Sequence, residues 1–599
     1  MDKSKTQNRI IELEREISAL PPGSITTKRI NGGEYFYHRV TIGGKRKENY
    51  VDSEKAAELK TQIAYRKTLE KELKSLKASL PKESPKGINK KTEADSFRTY
   101  VRIGEALKKY AAPVKSFKRR ACFDKLKEYV SDNTTEKVMI LYGLRRTGKT
   151  TLIRQIVADM SEDDLQHSVF MQIKSSDTLA DVNADLNRLE SLGYHYVFID
   201  EVTLMQDFIE GAALLSDIFA ASGMKIILSG TDSLSFLFSE DEQLFDRCII
   251  IHTTFIPYRE FESVLGKSGI DEYIRYGGTM SLSGVNYNED SVFASTEKAS
   301  EYIDSAIARN IQHSLQCYQD GGHFRNLREL YDKKELTSAI NRVVEDMNHR
   351  FTVETLTRTF KSNDLSVSAA NLRRERSKPN DILDRIDLET VTGKFKAALE
   401  ILNKEEQLVA VNDAHVAEIQ EYLKLLDLVM DIDIMHIPNV NQKDTLSVIT
   451  QPGMRYVQAE ALVQSLISDS VFNTLDIAER NAILDRIRSE IKGRMMEEIV
   501  LLETKLANPK MRVFKLQFAI GEFDMVVCDP STLTCKIYEI KHSTEAVAAQ
   551  YHHLADKQKC ADTEHQFGKI TGRYVIYRGE PTMENYIEYL NVEEYLNTI

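Results

Sequence analysis

No apolar run in the 599 residues approaches the roughly 18 that a membrane helix needs, and the chain opens without an apolar signal segment. A cytoplasmic protein with no membrane partner is therefore expected. The six cysteines, Cys122, Cys248, Cys317, Cys528, Cys535 and Cys560, are scattered without metal-ligand spacing. That excludes a disulfide framework and a structural zinc, and it suits a reducing compartment. Without disulfide or zinc, folding must rest on burial alone; internal repeats and long low-complexity tracts are also missing. An apolar fraction of 42% and a charged fraction of 29% are ordinary for a globular chain. The length exceeds what one core can serve, which implies about three to five domains.

Charge is unevenly placed. Residues 1–120 hold 29 Lys+Arg against 15 Asp+Glu, and residues 121–599 hold 51 against 76, which together make the net −11. A basic front on an acidic body directs any polyanion to the N-terminal end, although a solvated lysine-rich linker has the same composition. Residues 6–20 read as a short helix with Ile10, Leu13, Ile17 and Leu20 on one face, stopped by Pro21, Pro22 and Gly23. Short strands follow over 24–51, clearest in Tyr35-Phe36-Tyr37-His38-Arg39-Val40. A helix over 53–80 then carries Leu69, Leu73, Leu76 and Leu80 at seam spacing. Seams this short need a partner or self-association. Tyr35, Phe36, Tyr37 and Tyr50 stand among Lys28, Arg29, Arg39, Lys45, Arg46 and Lys47. That mixture suits nucleic acid, and its aromatics equally suit a small core. In outline, this 1–80 module is similar to integrase arm-binding modules.

Residues 81–97, with Pro81, Pro85 and many lysines, read as a linker. Helices and apolar strands alternate over 98–265, the pattern of an α/β domain. Inside it, the buried strand Val138-Met139-Ile140-Leu141-Tyr142 runs into Gly143-Leu144-Arg145-Arg146-Thr147-Gly148-Lys149-Thr150, a G-x-x-x-x-G-K-[ST] loop. The glycines let backbone N–H groups converge on phosphate oxygens, Lys149 supplies a cation, and the Thr150 hydroxyl can bind magnesium. The helix that follows, with Leu152, Ile153, Ile156 and Val157 on one face, aims its N-terminus at the anion. A second strand, Tyr196-Val197-Phe198-Ile199, ends in Asp200-Glu201. There one carboxylate can hold magnesium and the next can orient and deprotonate the attacking water. A third strand delivers Ser229-Gly230-Thr231-Asp232, polar groups placed to sense a γ-phosphate. Arg247 is a candidate arginine finger for a neighbouring subunit of a homo-oligomer.

These motifs resemble the prokaryotic AAA+/STAND-related ATPases of the archaeal-ATPase type. The resemblance rests on Gly143 to Thr151 with its Arg145-Arg146 pair, on Phe198-Ile199-Asp200-Glu201 and on Ile227-Leu228-Ser229-Gly230. Phe255-Ile256-Pro257-Tyr258-Arg259-Glu260-Phe261 is similar to the segment closing their ATPase core, and Tyr273-Ile274-Arg275-Tyr276-Gly277-Gly278 to their lid. It implies an α/β multidomain chain: an AAA+-like P-loop NTPase core over 98–265, a helical lid over 266–330, and a helical/winged-helix region over 331–490. A nuclease-like domain over 491–599 completes it. Residues 1–97 fall outside the pattern.

The terminal segment carries its own acidic pattern. A helix through Gly493-Arg494-Met495-Met496-Glu497-Glu498 is followed by a strand near 513–518, then Glu522-Phe523-Asp524-Met525, then Tyr538-Glu539-Ile540-Lys541. On neighbouring strands Asp524 and Glu539 can share a divalent metal while Lys541 stabilises charge at a scissile phosphate. This looks like the PD-(D/E)XK nuclease superfamily, a restriction-endonuclease-like α/β fold, with Phe523 where proline is usual. Glu497 matches the superfamily's helix glutamate by position, with Glu498 its rival, and Gln550 on the next expected helix is a candidate assistant. Glu418 to Met435 resembles the last helix and wing of a winged-helix domain, and the basic patch Arg373-Arg374-Glu375-Arg376-Ser377-Lys378 reads as a solvated loop. The expectation is an ATP- and Mg²⁺-binding ATPase that gates a Mg²⁺- or Mn²⁺-dependent nuclease on DNA, in defence or mobile-element biology. The alternative is an ATP-dependent assembly switch whose nuclease-like domain is structural.

Overall fold

The computed structural model describes residues 24–79 and 97–599, apart from 232–245, 281–292, 316–323, 352–410, 468–476 and some shorter gaps. The chain divides into two compact units, Met1–Lys91 and Thr92–Ile599. In the first, β1 (Ser24–Ile30), β2 (Gly33–Ile42) and β3 (Lys45–Val51) form an antiparallel meander. Helix α1 (Ser53–Ser79) buries Ala56, Ile63 and Leu69. The strands and helix lie where the sequence places them. The helix expected over 6–20 and the side chains of Leu73, Leu76 and Leu80 lie outside the described residues.

The second unit holds two sheets. The first contains β4 (Tyr100–Ile103), β5 (Val138–Tyr142), β6 (Ser168–Gln172), β7 (Tyr196–Asp200), β8 (Lys225–Gly230) and β9 (Cys248–His252). Its order is β4-β6-β7-β8-β5-β9, with β4 antiparallel and the other pairs parallel. Side chains alternate between two cores, as the pleat dictates. Ile140, Val169, Ile199 and Leu228 pack on one face, and Met139, Leu141, Phe170, Phe198 and Ile227 on the other. The intervening helices include α2 (Gly104–Ala111), α3 (Phe123–Ser131), α4 (Lys149–Asp159) and α5 (Leu179–Ser191). Parallel strands with covering helices leave their loops, and hence a ligand crevice, at the carboxyl edge.

Two short helices follow the first sheet, α6 (Tyr258–Leu265) and α7 (Ile270–Tyr276). Helix α8 (Asp413–Leu425), capped by Asn412, then leads into β10 (Val429–His436) and β11 (Asp444–Ile449). Helices α9 (Pro452–Ile467) and α10 (Ile477–Ala507) come next. The strands β12 (Arg512–Gln517), β13 (Glu522–Asp529) and β14 (Thr534–Lys541) form an antiparallel meander. Helix α11 (Lys557–Phe567) carries the chain to β15 (Lys569–Tyr577), parallel to β14. The edge strand β16 (Thr582–Glu584), the strand β17 (Ile587–Asn591) and the helix α12 (Val592–Thr598) finish the chain.

The helix and strand expected near 418–435 are present, but their surroundings differ from a free wing. Asp433 to His436 of β10 pair in parallel with Phe514 to Gln517 of β12. The hairpin therefore extends the C-terminal sheet to eight strands, in the order β11-β10-β12-β13-β14-β15-β17-β16. Residue 491, where the terminal domain is expected to begin, falls inside α10, whose Ile487, Ile491 and Met495 share one core with Val513 and Ile540.

Candidate functional site

At the carboxyl edge of β5 the chain turns through Gly143 to Gly148 into α4. Two glycines have steric reasons to be there. A Cβ on Gly143 would stand 2.9 Å from the Thr253 backbone, and Gly148 caps α4 at φ +93° with Met280 Cε 2.8 Å from where its Cβ would be. Thr147 closes the loop by donating its hydroxyl to the Leu144 carbonyl at 2.8 Å. Lys149 Nζ is buried and donates to the carbonyls of Gly143 (2.7 Å) and Leu144 (2.9 Å). Burial pushes its ammonium down to about 8, against the opposing pull of Glu201 and Asp200.

Three of the expected magnesium and γ-phosphate residues converge on one carboxylate. Thr150 Oγ1 donates to Asp200 Oδ2 at 2.9 Å, and the Ser229 hydroxyl donates to the other oxygen. Glu201 follows in the left-handed region at φ +58°, which turns it out of line with β7. Its backbone N–H faces Ser229 Oγ at 3.4 Å, and Thr231 Oγ1 lies 3.4 Å from its Oε2. Burial raises the Glu201 carboxyl above its ordinary range, with the Lys149 charge working against that rise. Arg145 is exposed at the loop apex, Arg146 is half-buried at φ +65°, and Thr151 is half-buried in the first turn of α4. Arg247 does not join them. It precedes β9 at the sheet edge opposite the P-loop, where its Nε pairs with Asp217 at 2.7 Å. Asp232 lies outside the described residues.

Sequence reading missed the residue that braces this loop from behind. Arg120 pairs with Glu260 of α6, and its two terminal nitrogens donate to the carbonyls of Thr147 (2.6 Å) and Phe255 (2.9 Å). Beside it opens a cavity of about 320 Å³ lined by Arg120, Lys125, His252, Arg259 and Glu503 among others. Glu503 comes from α10, accepts the Tyr258 backbone N–H at 2.8 Å, and is pushed by burial up to about 7. No local motif announces Arg120, because its partner is 140 positions away.

The second cluster lies on the C-terminal sheet. Lys541 Nζ stands 2.7 Å from both Asp524 Oδ2 and Glu539 Oε2, and the Ile540 backbone N–H donates to Asp524 at 2.8 Å. Asp524 and Glu539 are both buried, and Glu539 Oε1 has no hydrogen-bond partner. Burial would raise the Asp524 carboxyl, but the ammonium groups of Lys541 and Lys515 hold it well below the usual range. Burial and the neighbouring Asp524 charge push Glu539 up instead. Lys515, only 1% exposed, enters from β12 and stands 2.9 Å from Glu522, 3.7 Å from Glu497 and 3.9 Å from Asp524. It sits where the β12–β13 register shifts, a bulge that re-aims a side chain.

Glu497 therefore faces this cluster, braced by Arg494 at 2.9 Å, whereas Glu498 turns away to Arg455 of α9. Gln550 stays apart. It lies in a short 3-10 turn rather than a helix, and its side chain ties Ser543, Glu545 and the Val547 N–H. Among the described residues, no three Asp, Glu, His or Cys side chains converge tightly enough to hold a metal by themselves.

A family model described as an AAA domain matches residues 135–262, the segment that carries the P-loop and the Asp200-Glu201 strand tip. Residues 135–262 form an AAA+ P-loop ATP-binding core. A second model, a domain of unknown function (DUF6788), matches residues 3–61. No curated protein matches the chain closely enough to count as a relative. Among solved structures, C. elegans PCH-2 is 19% identical at TM-score 0.18, over 27% of this chain and 46% of that one. The chain thus spans less than half the length of PCH-2. The Aeropyrum pernix ORC1 protein in complex with DNA is 12% identical at TM-score 0.21, over 61% of this chain and 98% of that one. The S. cerevisiae Hsp104-ADP complex is 11% identical at TM-score 0.24, over 69% and 57%. Likenesses this slight add nothing to what the AAA+ core and the two clusters say by their own geometry. Among the described residues, no helix is long and apolar enough to cross a membrane.

Proposed function

We propose that this chain is a cytoplasmic ATPase whose AAA+ core gates a metal-dependent nuclease centre on the C-terminal sheet. The observation that carries it is the meeting of Asp524, Glu539 and Lys541 on adjacent strands of a unit that also holds a complete P-loop. ATP phosphates entering the loop would replace the carbonyls now held by Lys149. Thr150 and Asp200 would hold magnesium, which would draw charge from the β- and γ-phosphates. Glu201, whose carboxylate burial makes more basic than usual, orients the attacking water and takes its proton.

At the second cluster, the orphaned and buried Glu539 Oε1 is what a divalent cation would satisfy, with Asp524 as its partner ligand. Two carboxylates are sufficient when substrate phosphate and water complete the shell, as magnesium sites commonly arrange. A divalent cation held there by Asp524 and Glu539 would supply activation of a water and charge stabilisation at phosphorus. Lys541 then holds the scissile phosphate oxygen, and Glu497 orients Lys515 against the carboxylates. DNA is the proposed substrate, with the basic residues of 1–80 as its first contact. A homo-oligomer with Arg247 acting on a neighbour belongs to the same proposal.

One observation favours the alternative of an assembly switch with a structural C-terminal domain. Lys541 and Lys515 already neutralise the carboxylates, as a stabilising ion cluster would. Asp524→Ala separates the readings. Under the nuclease proposal it abolishes metal-dependent cutting and leaves ATP turnover intact. Under the alternative, wild-type protein cuts no nucleic acid under any nucleotide or metal condition.

A further inference from the structure

The segment from Asp271 of helix α7 to Met280 reaches both clusters within ten residues of sequence. At its start, Asp271 Oδ1 lies 3.1 Å from His542 Nε2 and 3.2 Å from Lys492 Nζ, and Oδ2 lies 2.8 Å from Arg578. His542 directly follows Lys541, and Arg578 directly follows the last residue of β15, the strand paired with β14. Asp271 thus fastens the end of β14, which carries Glu539 and Lys541, and the end of β15 beside it. Its carboxyl is held well below the usual range, first by the His542 contact and then by Lys492 and Arg578.

The other end of the segment is fastened to the P-loop. The Met280 backbone N–H donates to the Arg146 carbonyl at 2.9 Å, and the Met280 side chain packs on Gly148, the N-cap of α4. Little slack exists between these ends. The Gly278 carbonyl accepts the Ile256 N–H at 3.0 Å, and a Cβ at Gly278 would stand 2.7 Å from Gln451 Cα. Helices α6 and α7 are also tied to the C-terminal end of the chain by Ile270 N–H to Glu593 (2.8 Å) and Arg259 to the Ile599 carbonyl (3.1 Å). A close-packed segment with both ends fixed transmits displacement rather than absorbing it.

The geometry points to Asp271 as a positioning residue of the C-terminal cluster, set through His542 and Arg578 by the P-loop's nucleotide state by way of the segment that ends at Met280. This inference rests on the proposed gating of that cluster, and a physical coupling of this kind must bias both sites.

Hydrogen–deuterium exchange on the full chain tests it without requiring cutting. In wild-type protein, saturating ADP or a non-hydrolysable ATP analogue should change exchange in the peptides spanning 536–545 and 574–580 by about fivefold or more. In Asp271→Asn that response should vanish while ATP is still hydrolysed, and Asp271→Glu should restore most of it. A thermal unfolding profile like that of wild type shows that the variant has folded. An Asp271→Asn chain that keeps the full response overturns the inference, as does a wild-type chain with no response at nucleotide saturation. DNA cutting is read alongside. If wild type never cuts but the exchange results hold, the nuclease proposal fails and the coupling stands.

Discussion

The guanidinium of Arg120 and the carboxylate of Glu260 form an ion pair buried behind the P-loop, with side chains 6% and 7% exposed. The same guanidinium holds the Thr147 carbonyl, so the pair fixes the loop's shape as well as its own charge. Removing one partner strands a buried charge. Arg120→Met should therefore destabilise the core by about 3–5 kcal/mol and weaken nucleotide binding. Glu260→Gln should cost less, because it keeps the hydrogen-bonding shape. Thermal unfolding with and without ADP reads both effects.

Lys149 links pH to both stability and binding. Burial pushes its ammonium down to about 8 in the folded chain, below the ordinary lysine value of 10.5. The cost of burying that charge is present in full below pH 8 and is relieved as pH rises from 8 towards 10.5. Phosphates would restore the charge, so nucleotide binding should take up a proton near pH 9 and weaken progressively above pH 8. Calorimetry in buffers of different ionisation enthalpy measures the uptake, and Lys149→Ala should abolish it.

Glu201→Gln should keep nucleotide binding and lower ATP turnover by about 10²–10⁴-fold, the range typical of lost general-base catalysis. A fluorescent nucleotide titration beside a phosphate-release assay separates the two. Equal loss of binding and turnover would instead make Glu201 a structural brace for Ser229.

Lys515 lies near Glu497, Glu522 and Asp524, so it would compete with a divalent cation proposed to bind Asp524. Lys515→Met should destabilise the metal-free protein by about 3–5 kcal/mol. It should also enlarge the rise in melting temperature on adding Mn²⁺ relative to chelator. A smaller Mn²⁺ response than wild type would mean that Lys515 supports the metal rather than opposing it.

What was legible in the sequence was what is local in the fold. The P-loop follows β5 directly, Asp200-Glu201 ends β7, and the hairpin pairing sets Asp524 level with Glu539. Longer-range features were not legible. Arg120 meets Glu260 across 140 positions, and Asp271 meets His542 across 271. Lys515 is aimed by a bulge that no residue type in β12 announces. The hairpin β10–β11 reads as a wing because its pairing with β12 crosses two helices. Gln550 was expected on a helix, yet Val547 to Tyr551 form only a short 3-10 turn closed by its own side chain.

The central claim is that nucleotide at Lys149 controls phosphodiester cutting at Asp524, Glu539 and Lys541. Its most direct test incubates purified protein with plasmid and linear DNA in Mg²⁺ or Mn²⁺. ATP, a non-hydrolysable analogue or no nucleotide is supplied, beside Lys149→Ala and Lys541→Ala. The account expects nucleotide-dependent cutting that each substitution removes. Intact DNA in every condition, with ATP still consumed, would contradict it.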